Sequence, residues 1–221
     1  MGDRTLSAIG VLNLQGDVAE HLDHLARLGI EGTPVKEPAA LSGLAGLIIP
    51  GGESTCLARL MRTFGIAQAI ENEFRRGMKI WGTCAGAILM AREVVGEAPC
   101  LGLIDLVIER NSFGSQLDSF ISEAVIPRVS ERPLPLVFIR APKVLRIGPG
   151  VKELLRIDDY IAAAESGEAL VTVFHPEMTP SVAFHRYFAR KCGLDPYGPD
   201  LQPDVDPKWI TTSWTRLARI I

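Results

Sequence analysis

Cysteine is scarce in this chain: Cys56, Cys84, Cys100 and Cys192 are the only four in 221 residues. They are widely spaced and form no C-x-x-C pair, which argues against a zinc site or a disulfide framework and for a reducing compartment. Positive charge is not in excess either. Lys and Arg number 23 against 26 Asp and Glu, for a net charge of −3, so there is no basic field for nucleic acid or an anionic membrane. No apolar run approaches the ~18–20 residues that cross a bilayer. The first residues, Met1–Leu6, lack the apolar stretch of a secretory signal, and Leu6 stands where a myristoylation pattern needs Ser or Thr. A cytoplasmic location is therefore expected. Internal repeats and low-complexity runs are also missing.

What is present is apolar content of 47%, ample for a real core. A chain of this length suits one compact α/β domain, or at most two small ones. Strand and helix signals alternate in the first half. Ile9–Leu14 reads as a buried strand. Val18, Leu22, Leu25 and Leu28 recur at helical spacing up to Gly29. Thr33–Val35, Gly46–Ile49 and Lys79–Trp81 are short strands, and 55–76 is helical with a break near Gly65. Strands separated by helices imply a parallel sheet covered on both faces. In the middle, Leu103–Glu109, Phe120–Ile126 and Leu136–Ile139 leave no room for crossover helices and read as antiparallel additions to that sheet, continued by short strands over Val144–Ala164. Ala169–Phe174 is again a buried strand, and Val182–Lys191 a last helix. Leu194–Ile221 is rich in Pro and Asp and then carries Trp209 and Trp214. It reads as an extension, distinct from a domain at 1–193, that docks on the domain or on a partner, with a disordered tail as the alternative.

Three segments carry chemistry. Gly82-Thr83-Cys84-Ala85-Gly86 sets a cysteine among small residues between a strand and a helix, the layout of a nucleophile elbow. Taken alone, Cys84 reads equally as a buried core thiol. An activated thiol needs a base, and the base an orienting group. His21 and His24 fall on the first helix and His185 on the last, and they read as surface or helix-face residues. His175 instead ends a buried strand, and active groups of a parallel sheet lie at the carboxyl ends of strands. Pro176 favours extended backbone at His175, which puts His175 and Glu177 on one face and yields a Cys84–His175–Glu177 triad. Pro50-Gly51-Gly52-Glu53-Ser54 ends another strand and can offer backbone N–H groups to a negative oxygen. It is neither a phosphate loop nor a dinucleotide fingerprint.

Together these segments resemble the class I glutamine amidotransferase superfamily, whose members are triad glutaminases with a flavodoxin-like α/β fold. Leu14-Gln15-Gly16-Asp17, Pro50–Thr55, Glu109-Arg110-Asn111-Ser112-Phe113-Gly114, Phe138-Ile139-Arg140-Ala141-Pro142 and Phe174-His175-Pro176-Glu177 narrow the resemblance to the glutaminase subunits of pyridoxal 5′-phosphate synthase, over residues 8–192. The resemblance implies a three-layer, mostly parallel sheet with antiparallel additions and hydrolysis of L-glutamine to glutamate and ammonia. Cys84 would attack the amide carbon, His175 would move the proton and Glu177 would orient His175, through a glutamyl thioester. Ala85 and the Gly51-Gly52 pair would supply the oxyanion donors. Glutamine would be held by Gly52, Glu53, Ser54, Arg110, Ile139 and Arg140, an arginine being suited to its α-carboxylate. The partner would be a separate (β/α)₈-barrel synthase subunit that receives the ammonia, and Gln15 would lie at that interface. No metal or cofactor is expected.

Three departures stand out. Ser115 follows Ser-Phe-Gly where the family usually has arginine, Asn13 replaces a small residue, and Leu194–Ile221 runs past the usual family end, with no role that the resemblance implies. Rival readings are a glutaminase serving another synthase, a non-catalytic regulatory component, and a cysteine peptidase on a related fold. Glu109–Gly114 and Phe138–Pro142 disfavour the first, the intact triad the second, and the glutamine-pocket residues the third.

Overall fold

In the first half of the chain each short apolar run becomes a strand and each amphipathic segment a helix. A computed structural model describes residues 8–110 and 119–197. β1 (Ala8–Leu12) leads to α1 (Val18–Arg27), β2 (Glu31–Val35), β3 (Gly46–Ile49), α2 (Ser54–Thr63), α3 (Ile66–Arg75), β4 (Lys79–Thr83) and α4 (Ala85–Met90). The break expected near Gly65 separates α2 from α3, and Gly65 takes the left-handed conformation at φ 68°, which glycine adopts at no steric cost. The second half is strand-rich: β5 (Ala91–Val94), β6 (Ile104–Glu109), β7 (Ser119–Ile126), β8 (Ser130–Ile139), β9 (Lys143–Ile147), β10 (Lys152–Ile157), β11 (Tyr160–Glu165) and β12 (Ala169–Thr172), before α5 (Ala183–Lys191).

Ten of these strands form one sheet in the order β2-β1-β3-β4-β12-β11-β9-β6-β5, with β10 pairing β11. β2, β1, β3, β4 and β12 are parallel to one another along that order. β11, β9 and β10 run antiparallel to their neighbours, and β5 pairs β6 in parallel. The expected mixed α/β sheet is therefore present. One expectation fails: β7 and β8 do not join that sheet but form a separate two-stranded ribbon. Their pairing is local, across the turn at 127–129, so each strand finds a partner without the main sheet's edge. β5 carried no strand signal because it follows α4 without a turn.

One core runs through both the parallel and the antiparallel parts of the fold. Ile9, Leu47, Ile48, Ile49, Ile80 and Trp81 are all fully buried, each contributing about 2 kcal/mol through removal from water. Trp81 packs on Phe184 and Phe188 of α5 and donates its indole N–H to Thr172 Oγ1 at 3.2 Å. The chain leaves α5 through Leu194, whose N–H bonds Ala189 O, and Tyr197, whose N–H bonds Leu28 O. The rest of the extension, Ser115 and the 111–114 part of the Arg110 motif lie outside the described residues. Because β1, β3, β4 and β12 point the same way, the residues that follow them meet at one sheet edge: Gln15 and Asp17, the 51–54 turn, Cys84, and His175.

Candidate active site

Cys84 occupies a backbone that ordinary residues avoid, with φ 47° and ψ −103°. Such strain persists only where surroundings enforce it. Here the Cys84 N–H is tied to Thr172 O at 2.8 Å, joining the elbow to β12. The glycines on either side have no room for a side chain. A Cβ at Gly86 would lie 2.0 Å from Ile49 O, and one at Gly82 would lie 2.5 Å from the Gly86 carbonyl carbon. The small residues thus let α4 start directly against β3 and turn the thiol outward. Cys84 is 7% exposed, and its Sγ approaches Ile139 O at 3.9 Å.

His175 and Glu177 are both buried. His175 Nδ1 donates to Glu177 Oε1 at 2.6 Å. The pairing matches expectation, but its cause does not. Pro176–Met178 is a 3-10 turn rather than extended chain, and the turn brings the carboxylate back under the ring. A second carboxylate, Asp17 Oδ2, stands 3.4 Å from the same nitrogen. Its hydrogen bond to His175 holds the Asp17 carboxyl below its ordinary value. For His175 burial works against protonation, yet the charges of Cys84 and Glu177 and the hydrogen bonds to Asp17 and Cys84 carry its pKa well above the usual imidazole value. Asp17, His175 and Glu177 form a metal-type donor set within 4.8 Å, but the short Nδ1–Oε1 contact shows the imidazole and Glu177 engaged with each other. Asp17 stands in the Leu14–Asp17 motif, but sequence reasoning assigned it no role of its own. Its signal was its place, just after β1 at the same sheet edge as Cys84 and His175.

A cavity of about 360 Å³ opens over the thiol, lined in part by Gln15, Gly52, Glu53, Ser54, Ala85, Arg110, Ile139 and Arg140. Cys84 and His175 also line it. Glu177 lies behind His175. Gly51 backs the ring, since a Cβ there would come within 2.5 Å of His175 Cε1. Ala85 opens α4, where first-turn N–H groups have no partner within the helix. Glu53 caps α2 by accepting from the Thr55 and Cys56 N–H groups at 3.0 and 2.6 Å. Desolvation pushes its pKa up, but those backbone bonds and Arg110 hold it below the ordinary value. The Glu53 N–H donates to Gln15 Oε1 at 3.3 Å, which ties the first strand-to-helix turn to the glycine turn. Arg110 pairs with both Glu97 oxygens at 2.8 and 2.9 Å and with Glu53 at 3.3 Å. Arg140 has a positive φ of 42°.

His21, His24 and His185 correct the sequence reading. All three are buried, at 0, 3 and 0% exposure, and they touch one another behind Glu177.

A strained cysteine elbow near a buried His–carboxylate pair, on a parallel sheet with antiparallel additions, is the arrangement expected of a class I glutamine amidotransferase, and a match to such a family and to such a structure bears out the class. Within that class the chain belongs to the SNO glutamine amidotransferase family, whose profile matches residues 11–194. Among curated proteins, a pyridoxal 5′-phosphate synthase subunit PdxT of Syntrophus aciditrophicus is 57% identical over 216 residues, covering 98% of this chain and 96% of its own. One of the same name from Ruminiclostridium cellulolyticum is 42% identical over 186 residues, covering 83% and 98%. A crystal structure of a glutamine amidotransferase superposes with a TM-score of 0.80 at 42% identity, over 85% of this chain and all of that one. PurLQS from Thermotoga maritima, at 18% identity and TM-score 0.59 over 83% of this chain and 97% of its own, shares the fold.

Proposed function

We propose that this chain hydrolyses L-glutamine to L-glutamate and ammonia and delivers the ammonia to a pyridoxal 5′-phosphate synthase. The family and the relatives named PdxT support the activity. The observation that carries the assignment of residues is the meeting of Cys84, His175 and Glu177 beneath one cavity.

In this reading the thiol turns from Ile139 O to His175 and gives up its proton. The thiolate attacks the side-chain amide carbon, and the tetrahedral oxyanion is met by the Ala85 N–H and by the Gly51-Gly52 turn. His175, now an imidazolium paired with Glu177, gives that proton to the amide nitrogen as the carbon–nitrogen bond breaks, so that ammonia leaves and the imidazole is neutral again. Water then hydrolyses the glutamyl thioester, with His175 again moving the proton. Gly52, Glu53, Ser54, Arg110, Ile139 and Arg140 hold the substrate, the guanidinium groups serving its α-carboxylate. Replacing either arginine with alanine is expected to raise the KM for glutamine about tenfold.

The acceptor in this reading is a (β/α)₈-barrel synthase subunit, which docks at the sheet edge beside Gln15. The same reading places the protein in the cytoplasm; among the described residues no helix is long and apolar enough to cross a membrane. Residues 1–193 form the glutaminase domain and 194–221 an extension, which the Syntrophus aciditrophicus relative largely shares, since its match covers 98% of the chain. The test is glutamate release with the cognate synthase subunit present. Cys84→Ala should abolish release while leaving partner binding intact. Retained glutamate production would remove Cys84 from the mechanism.

A further inference from the structure

The chain has four histidines, and the mechanism above uses only His175. The other three are buried and touch in series. His24 Nδ1 lies 3.1 Å from His185 Nδ1, and His185 Nε2 lies 2.8 Å from His21 Nδ1. His21 Nε2 then faces Thr83 Oγ1 at 3.4 Å and Glu177 Oε2 at 3.6 Å. That carboxylate oxygen is fully buried and, among the described residues, has no hydrogen bond, although it belongs to the group that would orient His175. A buried polar atom left this way calls for an explanation. The row of imidazoles ends on it.

Counting protons gives the row a direction. Burial keeps all three rings below the ordinary imidazole pKa, against the pull of Glu177, Asp17 and Glu20 on His21 and with the help of Arg27 at His24 and His185. A neutral ring carries one N–H, and a carboxylate only accepts. For His21 to serve Glu177, its proton must sit on Nε2. Nδ1 is then an acceptor, so His185 must donate from Nε2. His185 Nδ1 is left bare, and His24 must donate to it from Nδ1. The opposite polarity would set a lone pair of His21 against the carboxylate.

Resting on the glutaminase reading of this site, we propose that His21 is a positioning residue for the reaction: held in one tautomer by His185 and His24, it presents an N–H to Glu177 Oε2 and keeps that carboxylate aimed at His175. Asp17, Glu20 and His175 also act on His21 through their charges, and Trp81 meets its ring edge-on at 5.6 Å.

Two measurements on the full chain test this. Nitrogen-15 imidazole shifts at neutral pH should show His21 protonated at Nε2 and bare at Nδ1; a proton on Nδ1 overturns the proposal without any reference to activity. Steady-state glutaminase kinetics, with the synthase subunit present, should show His21→Leu losing at least tenfold in kcat with KM for glutamine within twofold. His21→Gln should recover a third or more of the wild-type kcat, because its amide nitrogen overlays imidazole Nε2 and can donate to the same oxygen. Equal kcat in both variants, or KM rising in step with the loss, would make His21 a packing residue only. Should His21→Leu fail to fold, the tautomer decides. Absence of glutamine hydrolysis in the wild-type complex would count against the glutaminase reading and leave the tautomer result standing.

Discussion

Gly51 stands between two side chains that sequence reasoning kept apart. Its missing Cβ makes room for His175 Cε1, and Asp17 Oδ2 sits 3.2 Å from the same point. Gly51→Ala is expected to push the imidazole off the thiol and lower kcat at least tenfold, because catalysis tolerates little displacement of a general base; steady-state rates in the complex check it. At this scale the meeting of Cys84, His175 and Glu177 was legible, since Cys84 and His175 each follow a strand of the parallel sheet and Glu177 lies two residues beyond. Asp17 and His21 were not. Nothing in a one-dimensional pattern distinguishes a histidine on the buried stripe of a helix from one on its flank when Val18, Leu22 and Leu25 flank both choices.

The buried imidazoles also set an acid limit. His21, His24 and His185 all have pKa values depressed by burial, His24 to about 4. In the unfolded chain each titrates near 6.5. Between pH 6.5 and about 4 the unfolded state therefore binds more protons, and stability must fall as pH falls through that window. His24 alone accounts for about 3 kcal/mol of that loss. His175 has the opposite sign: its contribution is fully present below 6.5 and is lost as pH rises through its elevated folded value. Urea unfolding at pH 7 and pH 5 should show a clear drop, and His24→Asn should flatten the dependence.

Among the elements, the junction of β4 and α4 is the tightest. A methyl at Gly86 meets a backbone carbonyl of β3, not a side chain that could rotate away. Gly86→Ala should cost about 3 kcal/mol, read from the urea midpoint, and should cost activity as well because the elbow is rebuilt. Here the sequence was informative: runs of small residues mark close backbone approach. The β7–β8 ribbon was less so. Its alternating apolar residues satisfy a strand pattern whether they pair with the main sheet or with each other, and only the three-dimensional path decides. That ribbon brings Ile139 to the thiol, and Val137 O accepts from the His175 N–H at 2.8 Å, so an element misassigned to the main sheet in fact walls the site.

For the whole molecule, activity should depend on assembly. The thiol approaches Ile139 O and Gln15 holds the Glu53 N–H, so the groups that would meet substrate are engaged with one another. We expect the isolated chain to release little glutamate and the addition of the synthase partner to raise the rate at least tenfold. Equal rates with and without partner would sink this expectation. Architecture at this scale followed from the alternation of strands and helices. What the alternation could not give was the insertion of β12 beside β4, because strand order depends on which long crossover closes.

That insertion has a bearing on how the protein is made. β1, β3, β4 and α4 come from the first ninety residues, whereas β12 and His175 follow some eighty residues later, and domains tend to form from the N-terminal side during synthesis. A domain folds as a unit, so a chain cut short before β12 would carry Cys84 without the Thr172 carbonyl that holds its N–H and without the imidazole that would take its proton. Nucleophile and base would come together only once the whole domain has been made.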